Sequence, residues 1–471
     1  MYRFQSPTIQ RQQIPAYGRL RPLIAAAGLT LLPATSFAAE PATASNAELE
    51  ERIKVLERKL EIQSEESTAK AKDTPVVYAG EKGFGIRSAD GDYEIRFSGL
   101  AQVDSRDYFG DAGAFRDTFV LRRLRPIVQG SLGKYVSFVL APEFNGQNAV
   151  GDGGSYSSIV DAYVDLKFSP YASFRIGKQK GPVGLERLQS IGTVNVNELG
   201  FVTELVPNRD IGINLYGAAL GGTVNYAFGV FNGTADGRDV SLADDGQKEF
   251  EGRIFLEPFK NDYGFFRGLG FGVSGTTGVK DGTGNNLLPR YRTPGQQQFF
   301  SYNTDVQATG EQYRISPQGY FYHNSFGLLA EYAISAQNAR RGTNTREIKN
   351  NAYNVDVSYV LTGENASYRG VTPSHPFKLH GGGWGAFQVF GRVERLGIDG
   401  DAFLGTGTTQ LANPNSSARG ARSYGAGLAW HLNANTRITT DYSFTEFKGG
   451  ASGGRNRNDE RALFTRLQIA Y

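Results

Sequence analysis

Leu463-Phe-Thr-Arg-Leu-Gln-Ile-Ala-Tyr471 alternates an apolar-leaning series, Leu463, Thr465, Leu467, Ile469 and Tyr471, with a mixed series, Phe464, Arg466, Gln468 and Ala470. Successive side chains of a strand point to opposite faces, so this stretch reads as a β-strand with one face for an apolar environment and one for water. The pattern recurs upstream. In 93–103, Tyr93, Ile95, Phe97, Ala101 and Val103 oppose Glu94, Arg96, Ser98 and Gln102. In 158–168, Val160, Ala162, Val164, Leu166 and Phe168 oppose Asp161, Tyr163, Asp165 and Lys167; in 436–445, Ile438, Tyr442 and Phe444 oppose Arg437, Thr439, Asp441 and Ser443.

Alternation alone fits two architectures. In a soluble sandwich the apolar faces meet a second sheet; in a membrane barrel they meet lipid and the polar faces line a lumen. The two ends of the chain favour the barrel. A strand flush with a terminal aromatic residue resembles the ending of bacterial outer-membrane barrels, which makes Leu467, Ile469 and Tyr471 a candidate signal for the barrel-assembly machinery. Residues 1–38 carry Arg3, Arg11, Arg19 and Arg21, no acid, an apolar stretch from Leu23 to Leu32 and a Ser36-Phe37-Ala38 close, the layout of a cleavable signal peptide. That apolar stretch is too short to cross a bilayer as a helix, so the mature chain is expected in the membrane as strands.

Composition agrees. Zero Cys excludes disulfides and cysteine metal sites. Sixty Gly, 24 Tyr and 31 Phe against one Met suit many strands, turns and aromatic girdles. Losing the signal removes four arginines and turns the formal +3 into about −1, so net charge says nothing of an anionic partner, and nothing points to nucleic acid.

Segment 39–92 is expected to be a periplasmic coiled-coil helix and linker. Ser45 and Glu48 have capping-box spacing. Leu49, Ile53, Leu56 and Leu60 follow at intervals of four, three and four, with Arg52 and Lys59 at g and Glu50 and Glu57 at e positions. The alternatives are a single solvated helix or a contact with peptidoglycan. From 93 to 471 about sixteen strand-like segments are predicted, giving an all-β, 16-stranded antiparallel transmembrane β-barrel with both ends on the periplasmic side; segments near 285–325 read ambiguously. Ser169-Pro-Tyr171, Gly221-Gly222 and Asn433-Ala-Asn-Thr436 fit inner turns, and 144–155 and 281–298 fit outer loops. Two connections are unusually long: 179–210, by count the third outer loop, expected to fold inward; and 362–383, on the periplasmic side, whose Pro373, Pro376, His375 and His380 suit either a plug or an unstructured loop.

Phe119-Val-Leu-Arg-Arg-Leu-Arg125, Phe174-Arg-Ile-Gly-Lys-Gln-Lys-Gly-Pro-Val-Gly-Leu-Glu186, Arg209-Asp-Ile-Gly212 and Tyr359-Val-Leu-Thr-Gly-Glu364 resemble the phosphate-selective porin O and P family across the whole barrel. The resemblance implies a trimeric outer-membrane channel, embedded in outer-membrane lipids, whose arginine-lined lumen conducts phosphate or polyphosphate without a cofactor. It also implies the site. Arg122 and Arg123 match the family's adjacent arginine pair, although alternation turns only one inward unless a bulge intervenes; Arg125 shares the face of Arg123. Lys178 and Lys180 match the strand end leading into the inward loop, which also carries Arg187, and Asp161 is the carboxylate placed near such a lysine. Arg123, Arg125 and Lys180 rank first.

By alternation Arg96, Lys167, Arg175, Arg253, Arg392, Arg437 and Arg466 also face the lumen, against Glu94, Asp161, Asp165, Glu251, Glu394 and Asp441. Guanidinium forks and ammonium groups replace the water a phosphate sheds on entering, and several moderate sites conduct better than one deep one. The balanced signs also suit a general diffusion porin. A carbohydrate porin would need an aromatic track, for which Tyr163 and Tyr216 are candidates. A plugged structural barrel and an outer-membrane enzyme are the remaining alternatives; His323 beside Asn324 and Ser325 reads as hairpin chemistry rather than a triad. Gly270-Phe-Gly-Val-Ser-Gly275 lacks the helix a nucleotide cradle needs, and His323, His375, His380 and His431 have no metal-ligand spacing.

Overall fold

The computed structural model describes residues 46–110, 116–145, 156–240, 245–283 and 287–471; the signal segment and Ser45 lie outside them. Two compact units are present, dividing at Ser67/Thr68. The first consists of most of helix α1 (Asn46–Asp73), on which Leu49, Ile53, Leu56 and Leu60 are all exposed and Arg52 pairs with Glu48 at 3.7 Å.

In the second unit β1 (Val76–Gly80) and β2 (Gly83–Arg87) form a hairpin, and β2 pairs with β3 (Tyr93–Phe109), Phe84 stacking on Phe97 at 5.3 Å. This corrects the linker reading of 74–92: strands of five residues are too short for their alternation to stand out. The chain continues through β4 (Thr118–Leu132), β5 (Val136–Asn145), β6 (Tyr156–Ser169), β7 (Ala172–Gln179), a one-turn helix α2 (Leu185–Leu188), β8 (Asp210–Ala219), β9 (Val224–Phe231), β10 (Glu249–Leu256) and β11 (Leu269–Thr283). Then follow β12 (Arg290–Arg292), β13 (Gln298–Ser301), β14 (Gln307–His323), β15 (Phe326–Arg341), β16 (Asn344–Val360), β17 (Ala386–Gly397), β18 (Ala418–His431), β19 (Thr436–Gly449) and β20 (Glu460–Ala470).

β12 and β13 pair only with each other. The sixteen strands β3–β11 and β14–β20 each pair antiparallel with the next, and β20 pairs back with β3 from Arg461–Phe109 to Ala470–Leu100. Closure satisfies every edge, which a lipid-facing sheet requires. Val103, Ile213, Val273, Ile315, Val355 and Leu467 are exposed on the outside, while Gln102, Asp104, Arg123, Glu331, Asn354 and Arg466 are buried inside. The expected inner turns at 170–171, 220–223 and 432–435 sit at the end that carries both barrel termini.

The outer half of the lumen is not empty. Val183, Phe201, Val202, Leu205 and Val206 of the inward loop pack with Leu287, Leu288, Tyr291, Phe299 and Phe300 of the β11–β14 connection and with Ile398, Phe403 and Leu411 of the β17–β18 connection. Three loops thus share an apolar core inside the barrel. Free loops would expose these groups to the channel water; burying them together stabilises the fill at roughly 25 cal/mol per Å². The open passage is thereby pushed to one side, against β4–β6.

Candidate functional site

Loop 180–209 folds into the lumen, as expected, and the far wall holds it by its backbone. The Glu331 carboxylate of β15 accepts the N–H groups of Leu185 at 2.6 Å and Glu186 at 3.2 Å. Glu394 of β17 accepts from Phe201 at 2.6 Å, and Asp441 of β19 from Asn197 at 3.3 Å. Two of these carboxylates, Glu394 and Asp441, are ones the sequence sets against the lumen arginines, and here the loop backbone engages them. Arg392 joins the same fastening, bonding Asp356 at 2.5 Å and also Glu186.

Glu198, at the loop's tip, enters a cage of four arginines. Its Oε1 accepts from Arg122 Nε at 2.6 Å, Arg466 Nη2 at 3.0 Å and Arg106 Nη2 at 3.1 Å; its Oε2 accepts from Arg122 Nη2 at 2.9 Å and lies 4.0 Å from Arg123 Nη2. Asp104 completes the cluster, 2.6 Å from Arg466 Nε. The adjacent arginines both reach inward because the β3–β4 register slips: Gln102 faces Arg123 but Val103 faces Leu121, leaving Arg122 as the extra residue of a bulge.

An open cavity of about 410 Å³ lies between the loop and β4–β6 on the outer side. Seven cationic side chains, Arg122, Arg123, Arg125, Lys180, Arg187, Arg209 and Arg292, meet four carboxylates, Glu143, Glu198, Glu204 and Asp239, along its wall. A second cavity of about 420 Å³ opens on the inner side. Four residues line both: Arg125, Lys180, Ile191 and Arg209. These mark the junction between the halves of the passage. Arg125 Nε bonds Glu143 at 2.8 Å and Arg209 bonds Asp161 at 3.1 Å. The Lys180 ammonium donates to the Gln189 carbonyl at 2.8 Å and makes no ion pair among the described residues.

The model of the family described as phosphate-selective porin O and P matches residues 95–471, the whole closed barrel. The chain belongs to that family. It is an outer-membrane porin, a channel rather than an enzyme. Comparison of its sequence with curated proteins finds no match. Among solved structures it is similar to the outer-membrane channel DcaP of Acinetobacter baumannii, at 9% identity and a TM-score of 0.50 over 84% of this chain and 99% of that one. It is also similar to an anion-selective porin from Comamonas acidovorans, at 14% identity and a TM-score of 0.48 over 81% and 100%. OprB of Pseudomonas putida matches at 10% identity and a TM-score of 0.49 over 81% and 95%. At such identities the likeness concerns the fold.

Within this porin the sequence candidates separate into groups. Arg122, Arg123, Arg125, Lys180 and Arg187 line the outer cavity, and Asp161 lies just below, paired to Arg209. The other basic candidates face the lumen elsewhere. Arg175 bonds Asp165 at 2.8 Å and stacks on Tyr163 and Tyr216, at 4.0 and 5.3 Å, so these tyrosines sandwich an arginine rather than form a track. Arg253 bonds Gln318 at 3.1 Å; Arg437 bonds Gln468 at 3.3 Å; Arg96 stands level with Gln129, inward of the passage, and Lys167 is exposed near the inner rim.

Lys178 is a correction. It shares the outward face of β7 with Ile176 and stands level with outward Ile211, while its neighbour Gln179 is fully buried inside. Arg209, Arg292 and Glu143 were missed as site residues. Arg209 opens the Arg209-Asp-Ile-Gly212 motif; Arg292 ends the three-residue strand β12, too short to show a period, and Glu143 lies in a strand interrupted by Pro142.

The 361–385 connection is ordered and reaches into the inner lumen with Tyr368; of the residues singled out in the sequence, Pro373 is buried while His375, Pro376 and His380 are exposed. Burial raises the Glu364 carboxyl of this connection, but hydrogen bonds from Thr362 and, at 3.1 Å, from the Ser374 N–H outweigh it and hold the group below the usual carboxylate range.

Proposed function

We propose that this porin passes small inorganic anions, phosphate or polyphosphate foremost, through the junction formed by Arg125, Lys180 and Arg209. The observation that carries the reading is that the outer and inner cavities share three cations and no carboxylate. An anion crossing between them exchanges water for two guanidinium forks and an ammonium. Arg122, Arg123 and Arg187 above extend the track as successive moderate sites, so that an ion is handed on rather than trapped. Membership of a family described as phosphate-selective supports the same class of solute.

The second reading, a general diffusion porin, is favoured by the pairing of Arg125 with Glu143 and of Arg209 with Asp161, which spends much of their field on the wall. The two readings part in a planar bilayer. Under a KCl gradient the zero-current potential reports anion preference, and phosphate titration of the chloride current reports binding. Anion selectivity with block by phosphate at millimolar levels or below supports the first reading; weak selectivity without block supports the second.

We further infer the domain plan: a removed signal over 1–38, a periplasmic helical segment over 39–73, the β1–β2 hairpin over 74–92 added to the edge of β3, and a barrel over 93–471 assembling as a trimer. The exposed seam of Leu49, Ile53, Leu56 and Leu60 supports self-association of the helix. Crosslinking of the intact protein in membranes tests it.

A further inference from the structure

The outward face of β16–β19 changes character near the outer end of the barrel. Up to a certain height it is apolar and aromatic: Tyr359, Val357, Val355 and Tyr353 on β16, Val389 and Val393 on β17, Leu428 and Tyr424 on β18, Tyr442 and Phe444 on β19. The next outward positions are Arg395 on β17, Arg422 on β18 and Glu446 on β19, with Arg419 and Lys448 beyond them. Arg395 stands directly opposite Arg422, and Arg422 directly opposite Glu446.

Like charges directly opposite each other destabilise a strand pair, and here four cations surround one carboxylate. None of the four makes an ion pair among the described residues. Two are steadied by rings instead: Arg422 lies 4.9 Å over Tyr424 and Arg419 lies 5.3 Å over Phe403. With Asn351 and Glu446 the group lines a concave site of about 420 Å³ on the outer wall. It is separate from the passage, because Glu394 and Ser423, the inward neighbours of Arg395 and Arg422, are buried on the other face.

Depth decides what such a site meets. Aromatic girdles of a membrane barrel mark the boundary of the hydrocarbon layer, so a basic concavity just beyond one stands at the level of lipid headgroups, where basic pockets take phosphorylated headgroups. We propose that Arg395, Arg419, Arg422 and Lys448 bind the phosphate groups of a phosphorylated outer-leaflet lipid. A phosphomonoester accepts both guanidinium forks at once and removes the cross-strand repulsion, fixing the lipid to the wall and the wall's register to the lipid.

The test uses the full-length porin in detergent, followed by native mass spectrometry with bisphosphorylated lipid A, its dephosphorylated form, and inorganic phosphate as a competitor. The variant is Arg395→Gln with Arg422→Gln; its single-channel conductance serves as the fold control, since both residues face away from the lumen. The expected result is a bound bisphosphorylated lipid whose affinity falls by roughly thirtyfold in the variant, no binding of the dephosphorylated form, and no displacement by millimolar phosphate. Displacement by free phosphate would overturn the lipid assignment in favour of a soluble anion. Unchanged lipid binding in a conducting variant would overturn the site, and loss of oligomer with lipid binding intact would make the patch a subunit interface instead.

Discussion

The Tyr368 hydroxyl of the inner connection donates to the Leu185 carbonyl of the inward loop at 2.5 Å. The contact is two-sided, since Gln189 Nε2 donates to the Tyr368 carbonyl at 2.8 Å and the Tyr368 ring stacks on Tyr320 at 5.3 Å. Connections from opposite ends of the barrel therefore meet in mid-lumen, and the inner one holds the loop that shapes the passage.

Tyr368→Phe keeps the ring and removes the hydroxyl, leaving the Leu185 carbonyl without that donor. We expect a loss of about 1 kcal/mol in local stability, seen as added sub-state noise in single-channel records with the mean conductance nearly unchanged. Records as quiet as those of the parent protein would show that the connection does not restrain the loop.

Glu198→Gln removes one charge from the buried cage of Arg106, Arg122, Arg123 and Arg466, all four of which face Glu198. Breaking one partner of a buried ionic cluster costs about 3 kcal/mol or more. A lower temperature of heat modification on gels is the expected readout, together with stronger phosphate block of any channel that still folds.

Lys180 and Lys178 are two residues apart on opposite sides of the wall. Lys180→Ala is expected to reduce the anion-to-cation permeability ratio several-fold, and Lys178→Ala to leave it unchanged, as measured by zero-current potentials. Equal effects would place the junction elsewhere.

Gly177 adopts φ 127°, and a Cβ there would lie 2.3 Å from the Ala162 carbonyl oxygen across the β6–β7 pair. Gly177→Ala therefore meets both a left-handed backbone and a backbone clash, at about 1–3 kcal/mol for the conformation alone. Reduced yield of folded barrel on refolding checks it.

Glu364 titrates lower folded than unfolded. Its contribution is present above the unfolded value of about 4.3 and is lost as the pH falls through the folded one. Hydrogen exchange across 362–385 is expected to accelerate as pH drops into that range, after correction for intrinsic exchange rates, and not between pH 6 and 8.

Much of the fold was legible because alternation and turn chemistry are local: the sixteen strands, the inner turns and the long inward loop all follow from Gly, Asn and period-two patterning. Register is a property of two strands, so the bulge that turns Arg122 and Arg123 inward together could be named only as a condition. The uses of Glu331, Glu394 and Asp441 were hidden for a related reason, since their partners are backbone N–H groups 145 to 244 residues away. Lys178 was misplaced although its parity with Phe174 and Ile176 is visible in the chain; a motif match does not override alternation.

The carboxylate of Glu198 stands where a travelling anion would find its richest set of donors. Being tethered, it returns to those donors at a local concentration that free solutes in the periplasm or the medium do not match. The cage is thus occupied by a resident competitor, and any ion that enters it is met by a rival on the same loop. A solute anion gains these donors only by displacing that side chain.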